Sequence, residues 1–174
     1  MSPALRRWAA LPVFPAAITL LAMGLLVAYV LANSGGDPLA LARLGDRYLL
    51  GDPQGSEGYD GQFVYYIAML PDPELVAAQL DVPAYRYQRI LLPLLARALS
   101  LSKPEAIPWG LALVGITSQA VGTWLVARLL ATWGVNPAYA LGYGLWVGFG
   151  LAVRLDLPEP LAYALVAGAL LAEL

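Results

Sequence analysis

Three long stretches of this chain carry no charge: Arg7 to Asp37, Glu105 to Arg128, and Arg128 to Arg154. Each has room for the ~20 predominantly apolar residues that cross a hydrocarbon layer ~30 Å thick. Composition agrees, since 60% of the residues are hydrophobic and only 13% are charged, about half the charged share of an ordinary globular domain. The gaps predict spans at 11–32, 105–128 and 137–153, with a fourth starting at 160–174. The fold class predicted is an all-α membrane protein. Its polytopic transmembrane helices would be accompanied by a long extracytoplasmic first loop, 33–104, carrying short amphipathic helices.

Orientation follows from the arginines. Arg6 and Arg7 precede the first apolar run, which favours a cytoplasmic N-terminus and puts the first loop outside. Val30-Leu31-Ala32 resembles a signal-peptidase site, but the apolar core exceeds the ~7–15 residues of a signal h-region, so the run reads as an anchor. The loop holds most of the twelve acidic residues and has helix-start grammar. Asp37-Pro38 predicts a helix to about Leu50, and Asp72-Pro73-Glu74 another over Leu75–Leu80. Gly51-Asp-Pro-Gln-Gly55 reads as a turn. Ile90–Leu101, interrupted by Pro93 and Arg97, is too short to span and predicts a half-buried helix at the outer surface. If it does not cross, Asp156 and Glu159 emerge on the same face as Asp60. Arg86, Arg89, Arg97 and Lys103 then stay outside against the positive-inside trend, which suggests work for them such as holding an anionic headgroup. The run from Leu161 stops at Leu174, so the chain reads as the N-terminal part of a longer protein.

The residue inventory narrows the chemistry. There is no cysteine and no histidine, which removes a thiol nucleophile, a zinc site and the commonest general base. Catalysis would fall to carboxylates, tyrosines, arginines or the single lysine. Any metal would be a hard, oxygen-ligated ion such as Mg²⁺ or Mn²⁺. No basic run suggests nucleic acid. The densest group of polar and aromatic residues is Gly58-Tyr-Asp-Gly-Gln-Phe-Val-Tyr-Tyr-Ile-Ala68, with one carboxylate, Asp60, between two glycines. Asp60 suits a helix N-cap as well as acid–base work on a hydroxyl. Five of the ten tyrosines, Tyr59, Tyr65, Tyr66, Tyr85 and Tyr87, lie in this region, which fits an interfacial belt or a sugar-binding surface. Arg86 and Arg89, three apart, could fork onto a phosphate; snorkelling to headgroups or pairing with Asp81 are the alternatives.

Three stretches together carry a resemblance: Gly58–Ala68, Tyr85-Arg-Tyr-Gln-Arg-Ile-Leu-Leu-Pro-Leu-Leu95, and Arg154-Leu-Asp-Leu-Pro-Glu-Pro160. In this order they resemble the N-terminal third of a bacterial multi-spanning family associated with cell-surface glycopolymer formation. More distantly they are similar to GT-C-type glycosyltransferases, including protein O-mannosyltransferases and GPI-anchor mannosyltransferases. The resemblance implies a multi-pass cell-membrane enzyme that takes a sugar from a polyprenyl-phosphate carrier to a glycan or lipid acceptor on the extracytoplasmic face, in contact with membrane lipid. It implies Asp60 as catalytic base and Asp156 or Glu159 as a second acidic site residue. Tyr59, Gln62, Tyr66, Arg86, Arg89 and Arg154 would bind substrate. The alternatives are a non-catalytic membrane subunit of glycopolymer assembly and a transporter. The missing later spans and the absence of histidine depart from the family pattern.

Overall fold

The computed structural model describes residues 11–174, and every regular element among them is helical. The all-α class therefore holds. Arg6 and Arg7, which carried the orientation argument, lie outside the described residues. The described residues form two compact units. One comprises the residues up to Leu26, Gly115–Val153 and Glu159–Leu174; the other comprises Val27–Val114 and Arg154–Pro158.

The multi-pass expectation is corrected here. Among the described residues two helices are long and apolar enough to cross a membrane, Val13–Asn33 and Pro104–Thr132. The stretch 137–153 is broken. Asn136 Oδ1 accepts the Ala138 N–H at 2.9 Å and opens a 3₁₀ turn, Pro137–Ala140. A single helical turn, Leu141–Gly144, follows, and Val147–Arg154 begins after an irregular Leu145-Trp146. The break has a packing cause within the first unit. Gly144 is buried, and a β-carbon there would run into the hydroxyls of Thr19 and Thr123. The buried Gln119 amide donates to the carbonyls of Tyr143 and Gly144, both at 3.2 Å, so the broken helix leaves them a partner. The last helix is Glu159–Ala172.

In the second unit the acidic loop is folded. Its core is Phe63, Tyr66, Ile67, Val76 and Leu80, with Leu44, Tyr48, Tyr65, Tyr87 and Ile90 packed against it. Phe63, Tyr66 and Ile67 recur at helical spacing on Gly61–Met69, which gives that helix one buried face. Asp72 accepts the N–H groups of Glu74 and Leu75, with Pro73 in the first turn, as the local sequence predicts. The predicted helix from Asp37 to Leu50 is instead two single turns, Leu39–Ala42 and Asp46–Leu49. Arg43 lies at φ 51° and Gly45 is extended. The chain at Ser56–Gly58 lies against Gly45 so closely that a side chain there would collide with its backbone. Leu91–Leu99 is a nine-residue helix with Leu92, Pro93 and Ala96 buried. Its Arg97 donates to the carbonyls of Ala68 and Met69 at 2.9 and 2.8 Å. Those are carbonyls at the C-terminal end of Gly61–Met69, where the ladder supplies no partner and a cation complements the helix dipole.

Candidate functional site

The site is assembled around the start of Gly61–Met69. Two glycines bring three chain segments to one point. Gly58 has φ +70°, open to glycine at little cost, and a β-carbon there would stand 2.6 Å from the Arg43 carbonyl and 2.7 Å from Gln62 Oε1. At Gly61 the Leu155 carbonyl occupies the space a β-carbon would need. Glycine is thus demanded on both sides of Asp60 by close approach.

Asp60 does not cap the helix. Its backbone is already α-helical, at φ −57° and ψ −29°, and its side chain makes no capping bond. The carboxylate instead meets the Arg86 guanidinium, with Nη1 2.9 Å from Oδ2 and Nη2 donating to Oδ1 at 3.0 Å. The same guanidinium donates from Nε and Nη2 to the two oxygens of Asp81, both at 2.7 Å. Its carbon lies 4.2 Å from the centre of the Phe63 ring. The Arg86 side chain is only 10% exposed, against 48% for Asp60 and 30% for Asp81. The hydrogen bonds that Arg86 donates to Asp81 raise the Arg86 pKa and hold the Asp81 carboxyl below its ordinary value.

Beside this triad lies a cleft of about 350 Å³ lined by Tyr48, Glu57, Gly58, Tyr59, Asp60, Gln62, Phe63 and Asp81. Tyr59 is exposed on it, and its N–H donates to the Arg43 carbonyl at 3.0 Å. Gln62 is buried, with Oε1 accepting from Gly45 N–H at 3.0 Å and Nε2 donating to the Glu57 carbonyl at 2.7 Å. Its amide therefore fixes the floor of the cleft. Glu57 pairs with Arg47 at the rim. A narrower recess joins Asp60, Arg86 and Arg89 with Leu157 and Pro158, and the Arg89 guanidinium lies 4.8 Å over the Tyr85 ring with its Nη2 on the Tyr85 hydroxyl.

The other residues singled out by the sequence fall elsewhere. Tyr66 is a core residue, 3% exposed, with no hydrogen-bond partner for its hydroxyl; burial pushes its pKa up to about 12. Arg154 Nη1 donates to the Ala40 carbonyl at 2.9 Å. Asp156 is 3% exposed, at φ 50°, with neither carboxylate oxygen hydrogen-bonded; burial raises its pKa to about 8 against the opposing pull of Arg154. Glu159 belongs to the other unit and opens its last helix. Tyr48 and Glu57 are walls of the cleft that the sequence did not single out. Phe63 as the platform for Arg86 was also missed; its place three residues after Asp60, on the same helical face, is the signal that could have found it.

No protein-family model matches the chain, and no solved structure matches it. Curated relatives do. A UDP-N-acetylmuramate–L-alanine ligase of Burkholderia vietnamiensis is 32% identical over 116 residues, which is 66% of this chain and 23% of that protein. The ligase of the same name from Burkholderia multivorans is 32% identical over 141 residues, 74% of this chain and 28% of its own length. That of Paraburkholderia phytofirmans is 31% identical over 116 residues, 66% of this chain and 23% of its own. The chain thus spans about a quarter of the length of the curated relatives it matches.

These relatives correct the functional expectations. They are named as ligases, where the motifs resembled a GT-C-type glycosyltransferase of glycopolymer formation. The substrates in their name are UDP-N-acetylmuramate and L-alanine, not a polyprenyl-phosphate-linked sugar with a glycan or lipid acceptor in membrane lipid. With them goes the placement as a multi-pass cell-membrane enzyme with a cytoplasmic N-terminus and an extracytoplasmic first loop. The physical reason for the misreading is that charge-free length was counted as span length, whereas 137–153 is broken next to the packed Gly144. The motif Gly58–Gly61 is equally accounted for by backbone close approach.

Proposed function

We propose that the cleft beside Asp60 binds the sugar portion of a UDP-N-acetylmuramate-like ligand, so that this chain serves substrate binding in the chemistry for which its relatives are named. The observation that carries the reading is the lining itself. Asp60, Glu57 and Asp81 offer carboxylate acceptors to sugar hydroxyls, and Tyr48 and Tyr59 offer flat apolar faces beside phenolic hydroxyls. Polyhydroxylated rings are held by that combination of directional polar groups and aromatic surface. The acidic lining repels the ligand's negative groups, so the lactyl carboxylate and the diphosphate would both point out of the cleft, leaving the hydroxyl-bearing part of the ring against it.

The reading is one of binding. Arg86 and its two carboxylates are committed to one another, which leaves Asp60 an acceptor held in place. A divalent ion such as Mg²⁺ or Mn²⁺ does not fit as a resident group. Asp60 and Asp81 flank a guanidinium where the ion would sit, and no metal-binding group of three or more acidic residues occurs among the described residues. Such an ion would enter with the ligand's phosphates, the usual manner for Mg²⁺.

Calorimetric titration of the chain with UDP-N-acetylmuramate, N-acetylmuramic acid and UDP tests the reading. Both muramate-bearing ligands should bind and UDP alone should bind far more weakly. Asp60→Asn and Tyr59→Ala should each weaken sugar binding by about tenfold, the value of one charged hydrogen bond or one lost aromatic face. Equal affinity for UDP and the sugar nucleotide, or affinities unmoved by both substitutions, would refute it.

A further inference from the structure

In the unit that does not contain Asp60, a groove of about 520 Å³ runs between two helices, Ile107–Thr132 and Glu159–Ala172. Ser118, Val121 and Leu125 border it from the first helix, three and four residues apart and therefore on one face. Leu161, Leu165 and Gly168 border it from the second at the same spacings. A β-carbon on Gly168 would meet one atom, Leu125 Cδ1 at 3.6 Å, which is ordinary contact. The backbone there does not require glycine, so what the missing side chain provides is room beside Leu125. Val121 and Leu165 are 49% and 53% exposed, so a ligand lying along the groove gains by covering them.

Two properties of the lining select the ligand. No residue in it is charged, so an ionised head would lose hydration without gaining a counter-ion. At one end stands Ser118, 8% exposed, whose hydroxyl makes no hydrogen bond among the described residues; its neighbour Thr117 is already engaged. A buried hydroxyl left unpaired is costly, and a second hydroxyl, able both to donate and to accept, satisfies it. Leu125 lies two helical turns beyond Ser118, roughly 10 Å along the axis, with Val121 between them. We infer that this groove binds an uncharged, single-chain aliphatic alcohol. Its hydroxyl pairs with Ser118, and its chain runs over Val121 and Leu165 into the room beside Leu125 and Gly168. The volume lies in the ~300–1,000 Å³ range of small-molecule sites. This inference is independent of the muramate reading and uses none of its residues.

The test is a calorimetric titration of the chain with 1-octanol, whose extended chain is about that long, and with 1-hexanol and octanoate. Octanol should bind saturably, one molecule per chain. Hexanol should bind about tenfold more weakly for its two missing methylenes, and octanoate at least about tenfold more weakly for its unpaired charge. Ser118→Ala should cost octanol about fivefold, the value of one neutral hydrogen bond. Gly168→Leu should fill the groove and abolish binding, with the helical circular dichroism unchanged in both variants. Equal affinity for octanol and octanoate overturns the inference without recourse to any variant. So does uptake of several alcohols per chain, or an affinity unmoved by both substitutions. No octanol binding, in a chain that sediments as a dimer and becomes monomeric on Gly168→Leu, assigns the groove to a second copy and likewise overturns it.

Discussion

At Asp60 a single side chain shows why a good local pattern can mislead. Asp before Gly-Gln-Phe satisfies the grammar of an N-cap, yet a capping side chain needs an extended backbone, and Asp60 is already helical. Its carboxylate is turned to Arg86 instead, 26 residues along the chain, a pairing that no local spacing encodes. The Arg86–Asp81 half was legible because the two residues are five apart. The consequence is an asymmetry between the partners. Asp60 is half exposed, so Asp60→Asn should cost less than ~1 kcal/mol of stability. Arg86→Leu removes the one cation between two carboxylates and leaves them facing each other, at a cost of about 2–3 kcal/mol. Urea unfolding of the two variants checks the order; equal midpoints for the two would mean that the asymmetry is absent.

Among the elements, those started by adjacent residues could be read and those ended by distant ones could not. Asp72-Pro73 starts its turn where the sequence says, because cap and helix lie within four residues. The helix from Asp37 fails at Arg43–Gly45 because the chain at Ser56–Gly58 claims the space, and 137–153 fails because buried threonines press on Gly144. The short helix at Ile90–Leu101 was readable from length, but the role of its arginine was not. Arg97 was grouped with the outer cations that would hold an anionic headgroup; it closes Gly61–Met69 through two carbonyls. Arg97→Met should keep the apolar stem and lose both bonds, costing about 1–2 kcal/mol, while Arg97→Lys should recover part of it. A denaturation midpoint unchanged in Arg97→Met would show that water replaces the guanidinium without loss.

For the molecule as a whole, composition and the long charge-free apolar stretches disclosed the all-α class. The candidate site was legible only as a neighbourhood, since Tyr59, Asp60 and Gln62 share a cleft with Tyr48, which is distant in sequence. The pH dependence of the unit holding this cleft is where separate residues add up. Asp81 has a folded pKa below its unfolded value, so its contribution is present above about pH 4 and is lost as acid protonates the folded carboxylate. Asp156 has the opposite sign. Its folded pKa is raised to about 8, so the folded state holds a proton that the unfolded state releases near pH 4, and stability falls as pH rises between those values. Asp156→Asn, which tolerates the positive φ, should therefore stabilise the unit at pH 7.5 and change little at pH 4.5, read as thermal midpoints at each pH. An equal effect at both values would mean that the carboxyl does not titrate across that interval. The helix at the centre of this unit is moored at its start by Asp60 on Arg86 and at its end by Arg97 on two carbonyls. Fraying, the ordinary route by which solvent reaches the amides of a short helix, is thereby closed from both directions. Deuterium should enter Gly61–Met69 through rarer, concerted openings that also release Leu91–Leu99, which makes the pair of them, rather than either helix alone, the piece that comes apart.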